Sequence, residues 1–112
     1  MARYTLNMIV DASLTYVCTV NKKRDLTAFE GTAFVSGTFG SGTVTLFVSP
    51  DGGTTKVPLL NTAGTAISIA AAAMAMFRLA GSGSTNSDSM MIYATLAGST
   101  NANLNVTVYD NN

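Results

Sequence analysis

Apolar and polar residues alternate along most of the chain, which is the pattern of β-strands with one buried face. Within residues 42–60, GTVTLFVSPDGGTTKVPLL, every second position is occupied by Val44, Leu46 and Val48. Because successive side chains of a strand point to opposite sides of a sheet, this period of two predicts a strand. The run PDGG then favours a tight reversal, so we expect a hairpin. Its second arm contains Pro58, which has no N–H to donate, and this arm is therefore predicted to lie at a sheet edge.

The same alternation predicts further strands on both sides of this hairpin. We expect the first two strands to pair as a hairpin across Asp11 and Ala12. Gly31, inside the third strand, indicates a bulge or a close approach of neighbouring backbone. The final residues DNN are polar and are expected to fray. The predicted strands outside the central hairpin occupy residues 3–10, 13–20, 26–36, 90–96 and 104–109.

Residues 67–80, ISIAAAAMAMFRLA, are compatible with two structures. Alanine and methionine favour a helix, and the segment is long enough for a buried one. However, the residues alternate in both halves, and alanines offer little volume for packing a helix on a sheet. We therefore prefer two short strands that meet near Ala71–Ala73, with a helix as the alternative.

About eight short strands separated by Gly, Ser and Asn turns are typical of two antiparallel sheets packed face to face. The sequence therefore predicts an all-β fold, an antiparallel β-sandwich of the immunoglobulin-like or jelly-roll type, and these two topologies stay open. At 112 residues the chain is expected to form a single domain over residues 1–112.

Charge is sparse. Charged residues are 11% of the chain, against roughly 25% in ordinary domains, and six basic residues balance six acidic ones. Three of the basic residues lie in the polar segment NKKRD at 21–25, which we interpret as a solvated loop or a docking contact. With no net charge and no basic stripe, we expect no nucleic-acid partner. No apolar run has the length of a membrane span or of a signal peptide, so we expect no membrane partner and synthesis in a cytoplasm.

The side chains that usually carry catalysis are scarce. The chain has no histidine, which is the commonest general base and metal ligand, and its six acidic residues are dispersed. Cys18 is the single cysteine and is expected to be a small buried apolar residue rather than a nucleophile. Most tyrosines and phenylalanines fall in strand patterns and are expected in the core. We therefore expect no enzyme, metal site or cofactor, and keep a small hydrolase only as a further alternative.

Three segments resemble small virion proteins of tailed bacteriophages. They are FVSGTFGSGTVTLFVSPDGGTTKVPL at 34–59, FRLAGSGS at 77–84 and LNVTVYDNN at 104–112. The chain departs from the familiar pattern at Lys56, where an aromatic residue often stands, and in its alanine-methionine stretch. The resemblance implies a capsid decoration or cement protein, a β-sandwich that is oligomeric on the capsid surface and has no enzymatic site.

On this basis the expected function is to bind the outside of a phage shell and stabilise the junctions between its subunits. The implied partners are the major capsid protein and further copies of the chain, as a homotrimer, in the virion. A tail or fibre component that binds the host surface is the alternative. Methionine is enriched in the buried parts of interfaces, but it also fills cores. The residues expected to contact a partner are Arg3, Tyr4, Lys22, Lys23, Arg24, Met74, Met76, Met90 and Met91.

Overall fold

The computed structural model describes residues 2–21, 28–49, 52–80 and 89–110, and within these ranges the chain is all-β with no helix. The predicted fold class is confirmed. The described part contains nine strands, in chain order β1 Ala2–Met8, β2 Ala12–Asn21, β3 Ala28–Thr38, β4 Thr43–Ser49, β5 Val57–Pro58, β6 Ser68–Ile69, β7 Ala73–Ala80, β8 Ser89–Ala97 and β9 Asn103–Asp110.

The strands form two antiparallel sheets. The four-stranded sheet has the order β1-β9-β3-β7, and the five-stranded sheet has the order β2-β8-β4-β5, with β6 also paired to β4. If β6 is set aside, the first strand pairs with the last, the second with the last but one, and so on inward to the β4–β5 hairpin. A long antiparallel hairpin wrapped into two sheets in this way is a jelly roll. An immunoglobulin-like sandwich would instead pair the first strand with the second.

The β4–β5 hairpin is the innermost pair of this arrangement. Gly52 and Gly53 have φ angles of +76° and +98°, which glycine adopts without a steric penalty, so the predicted reversal is confirmed in its described part. Residues 50 and 51 lie outside the described ranges. Pro58 lies in β5, which is the edge strand of its sheet, as its missing N–H predicts.

The core lies between the two sheets and is built from the alternating apolar positions. Val44 and Leu46 of β4 are fully buried, and they meet Leu104 and Val106 from the opposite sheet in one apolar cluster. The same alternation leaves the intervening side chains of β4 and β9 on the outer faces. Burial of the apolar faces, at about 25 cal/mol per Å², stabilises the sandwich.

The predicted hairpin between the first two strands is wrong. β1 pairs with β9 and β2 pairs with β8, so the chain crosses from one sheet to the other between them. The Asp11 carboxylate accepts hydrogen bonds from the backbone N–H groups of Gly98 and Ser99, both at 3.0 Å, and from the Ser99 hydroxyl. These bonds connect the crossover to the β8–β9 turn.

The alternation of β2 predicts its buried side chains only in part. Cys18 and Val20 are buried, but Leu14 and Tyr16 are exposed. Two register shifts interrupt the β2–β8 ladder, and Leu14 has a φ of +46°. Since each extra residue in a strand moves the following side chains to the other face, these irregularities override the simple alternation.

The segment at 67–80 is strand, as preferred, and it breaks between β6 and β7 close to the expected position. Gly31 is a site of close backbone approach and not of a bulge, because the pairing of β3 with both neighbours is continuous there. At the C-terminus, Asp110 does not fray: it belongs to β9 and is 4% exposed, while residues 111 and 112 lie outside the described ranges. Its pairing with Ala2 and Gly31 places it between two strands.

Candidate interaction surfaces

The outer face of the four-stranded sheet brings together several of the predicted contact residues. Arg3 of β1 lies in one transverse row with Tyr109, Thr32 and Met76, each residue being the register partner of the next. Paired residues of an antiparallel ladder point to the same face. Arg3 and Met76, far apart in the sequence, therefore share one surface.

A neighbouring row extends the apolar part of this surface. Phe34 lies between Thr107 and Met74 in register, and Met74 and Met76 are 66% and 59% exposed. We call Phe34, Met74, Met76 and Tyr109 the methionine strip. Its methionines lie on β7, the edge strand of this sheet.

Polar contacts border the methionine strip. On one side, Arg78 Nε lies 3.1 Å from Glu30 Oε1, in an exposed ion pair. On the other, the hydroxyls of Thr5 and Thr107 are 3.2 Å apart and hydrogen-bonded. Apolar side chains surrounded by polar ones are typical of protein contact surfaces.

The edge of β7 is partly covered by the loop that follows β5. The Thr62 N–H donates to the Met76 carbonyl at 3.1 Å, and Asn61 Oδ1 accepts from the N–H groups of Ala63 and Thr65. An open groove of about 700 Å³ lies between this loop, the β5 edge and Arg78. Leu60 and Val57, both about half exposed, give it apolar walls.

The remaining predicted contact residues lie elsewhere. Tyr4 points inward and packs against the core, as Met90 does from the other sheet. Met91 lies on the outer face of the five-stranded sheet, where its sulfur accepts a hydrogen bond from the Tyr93 hydroxyl. β7 and β8 are consecutive in the sequence but belong to different sheets, so the four methionines do not form one cluster. Lys22, Lys23 and Arg24 lie outside the described residues.

The aromatic residues were largely misplaced by the sequence pattern. Phe39 and Phe77 are buried in the core, but most aromatic side chains in the described ranges face outward. The outward direction of Phe47 was predictable from the sequence, because Phe47 alternates with the buried residues of β4. The outward direction of Tyr16 was not predictable from the sequence, because it depends on the irregular register of β2. The outward-facing aromatic residues are Tyr16, Phe34, Phe47, Tyr93 and Tyr109.

Four of the residues on the outer face of the five-stranded sheet form a continuous row. Tyr16 pairs with Tyr93, Tyr93 with Phe47, and Phe47 with Pro58, across β2, β8, β4 and β5. We call these four residues the aromatic row. Tyr16 and Tyr93 meet edge to face, with ring centroids 5.9 Å apart and an interplanar angle of 71°. This geometry is the preferred arrangement of two aromatic rings.

Lys56 connects Tyr93, inside the aromatic row, to the β4–β5 turn. Its Nζ lies 5.0 Å from the centroid of the Tyr93 ring and donates to the Gly53 carbonyl at 2.6 Å. The Gly53 N–H in turn donates to Ser49 Oγ at 2.8 Å. The turn, the lysine and the tyrosine therefore form one connected unit, in which Tyr93 is only 7% exposed.

Among the residues that the structure describes, Cys18 and Asp11 have shifted pKa values. Burial, together with the negative charge of Asp110, raises the pKa of the Cys18 thiol to about 12. The side chain is 2% exposed and stays protonated near neutral pH, so it has the buried apolar character that the sequence predicts. The hydrogen bonds from Ser99 and Gly98 lower the pKa of the Asp11 carboxyl.

No group of three or more His, Cys, Asp or Glu side chains lies together in the described part of the chain. The described ranges also contain no helix that is long and apolar enough to cross a membrane. Comparison with protein-family models, with curated proteins and with solved structures finds no significant match. Function must therefore be inferred from the surfaces described above.

Proposed function

We propose that the chain is a capsid decoration protein of a tailed bacteriophage. In this role it binds the outside of the shell and stabilises the junctions between capsid subunits. Its partners are the major capsid protein and further copies of itself in a homotrimer. It is made in the host cytoplasm and becomes part of the virion surface.

The observation that carries this proposal is the methionine strip. Met74 and Met76 leave more than half of their side-chain surface in water, although transfer of apolar surface out of water is favourable by about 25 cal/mol per Å². A partner that covers them recovers this free energy. Methionine also adapts its shape to an irregular partner, which suits a surface that must fit a junction between several subunits.

The size of the domain is sufficient for the role. Stable protein interfaces cover about 800 Å² on each partner, and this is about one seventh of the 5942 Å² that the chain exposes. One sheet face with its edge strand can supply such an area. Because the contact is repeated over the shell, a modest affinity at each site adds up to a large stabilisation of the whole.

Co-sedimentation with purified shells that lack the protein tests the proposal. We expect the unmodified chain to sediment with the shells, and Met76→Glu to reduce its affinity at least about tenfold because a carboxylate would be buried in an apolar contact. The matched control is Ala97→Glu, which adds the same charge at an exposed position of the other sheet. Circular dichroism checks that both variants fold.

Two results would contradict the proposal. One is an unmodified chain that stays in the supernatant at all shell concentrations. The other is an equal loss of affinity in the two variants, because the methionine strip would then not be the contact. The alternative, a tail or fibre component, predicts that gold-labelled chain decorates the tail tip while the head stays bare.

A further inference from the structure

The second outward surface, the aromatic row on the five-stranded sheet, has no role in the proposed capsid contact. We propose that this row is a binding site for a neutral saccharide chain. The proposal depends on the aromatic row alone and does not require that the protein binds a capsid.

The aromatic row presents two accessible rings on a rigid base. Tyr16 is 47% exposed and Phe47 is partly exposed, with the buried Tyr93 between them. Adjacent strands are about 4.8 Å apart, so Tyr16 and Phe47 are separated by about 10 Å, which is comparable to the length of a disaccharide. The two rings can therefore contact successive sugars.

The rings of Tyr16 and Tyr93 are held in place before any ligand binds. Tyr16 is held by its edge contact with Tyr93 and by a 2.6 Å hydrogen bond between its hydroxyl and that of Thr19. Tyr93 is held by Lys56 and lies against Gly53, where an added Cβ would come within 2.7 Å of the tyrosine hydroxyl. Since these rings are already fixed, binding has little side-chain entropy to overcome.

The absence of charged residues from the strands of this sheet favours a neutral ligand. None of the strands β2, β4, β5, β6 and β8 contains Asp, Glu, Lys or Arg, whereas the four-stranded sheet carries Arg3, Glu30, Arg78 and Asp110. The ammonium group of Lys56, beside β5, already contacts the Gly53 carbonyl and the Tyr93 ring. Nucleic acids would require cationic side chains for their phosphates, and these strands provide none.

Hydroxyl groups on both sides of the row suit a sugar, whose own hydroxyls can pair with them. Thr45 and Thr95 pair in register on one side, and Thr19 lies on the other, next to Met91. The C–H faces of a sugar ring pack on aromatic rings, while its hydroxyls exchange hydrogen bonds with threonine side chains.

Affinity electrophoresis through gels that contain dextran, mannan, galactan or a β-glucan tests the site. Alginate, which is acidic, and oligo(dT) serve as comparison ligands. We expect at least one neutral polysaccharide to retard the unmodified chain. Tyr16→Ala should weaken this binding about tenfold, because a stacking ring is lost, whereas Tyr16→Phe keeps the ring and should retain most of it. Phe47→Ala should weaken it to a similar extent.

Met76→Glu is the control on the opposite face, and it should bind the polysaccharide as the unmodified chain does. The proposal is overturned if no neutral polysaccharide retards the chain, if only alginate or oligo(dT) does so, or if Tyr16→Ala and Phe47→Ala bind as well as the unmodified chain. None of these outcomes affects the capsid proposal, which depends on the methionine strip. Thermal unfolding of each variant shows whether a loss of binding reflects a loss of fold.

Discussion

Replacement of Gly31 by alanine should be among the most destabilising single changes, although it adds one methyl group. Gly31 lies within β3 and is paired on one side with β7 and on the other with β9. A Cβ atom there would overlap Phe77 Cζ and would lie 2.7 Å from the Tyr109 carbonyl oxygen. Overpacking of a core costs about 1–3 kcal/mol, and we expect about 3 kcal/mol because one obstacle is the backbone of a paired strand.

Gly64→Ala provides a matched comparison. Gly64 has a φ of +83°, but a Cβ added there would have no neighbouring atom within 4 Å, so alanine is opposed only by its backbone conformation, at about 1 kcal/mol. Urea titrations measure the decrease in the free energy of unfolding that each of the two substitutions causes. In a thermal scan, 1 kcal/mol corresponds to about 4 °C for a domain of this size, so the expected decreases are about 12 °C and about 4 °C.

The origin of the effect is tested by a double variant. Phe77→Leu removes the ring atoms nearest to the new methyl group, so Gly31→Ala should cost less in that background than in the unmodified chain. Equal destabilisation by Gly31→Ala and Gly64→Ala, or additive effects of Gly31→Ala and Phe77→Leu, would refute the steric explanation.

Three further predictions concern other contacts. Lys56→Ala should lower the free energy of unfolding by about 1 kcal/mol in urea titrations, because it removes the hydrogen bond to Gly53 and the contact with the Tyr93 ring. The hydrogen bonds that lower the pKa of Asp11 stabilise the fold fully above the unfolded pKa of 3.8, and this stabilisation is lost as the pH falls through the lower pKa of the folded state. Thermal scans from neutral to acid pH should therefore show a smaller decrease in Tm for Asp11→Asn than for the unmodified chain. Native Cys18 should react with a thiol reagent at about pH 8 far more slowly than the urea-unfolded chain, since it is buried; equal rates would contradict its burial.

The strands and the central turn could be predicted because local signals determine them. Val44, Leu46 and Val48 define a buried face by their spacing alone, and Gly52 and Gly53 mark the reversal. The strand character of residues 73–80 also followed from alternation, against the helical propensity of alanine and methionine. Such signals depend only on neighbours in the sequence.

The strand pairing could not be predicted in the same way, because it depends on contacts between distant residues. β1 and β2 are adjacent in sequence and have the alternation of a hairpin, but each pairs with a strand from the C-terminal part of the chain. The register shift between Tyr16 and Cys18 turns Tyr16 to the outer face, and no residue of β2 signals it. For this reason the jelly-roll order and the aromatic row became visible only in three dimensions.

The candidate contact residues could likewise be predicted only in part, because their identity follows from the sequence but their grouping depends on strand pairing. Met74 and Met76 could be selected from composition, since methionine is unusual in a small β domain. Their alignment with Arg3 and Phe34 required the pairing of four strands. The absence of charge from all strands of the five-stranded sheet was readable from the sequence once the strands were assigned, but their membership of one sheet was not.

Electron cryomicroscopy of shells incubated with the purified chain would test the proposed function by direct observation. We expect added density on the outside of the shell, at the junctions of capsid subunits, in groups of three copies whose four-stranded sheets face the shell. Density at the tail tip, or shells that remain bare at saturating concentrations of the chain, would show that the proposal is wrong.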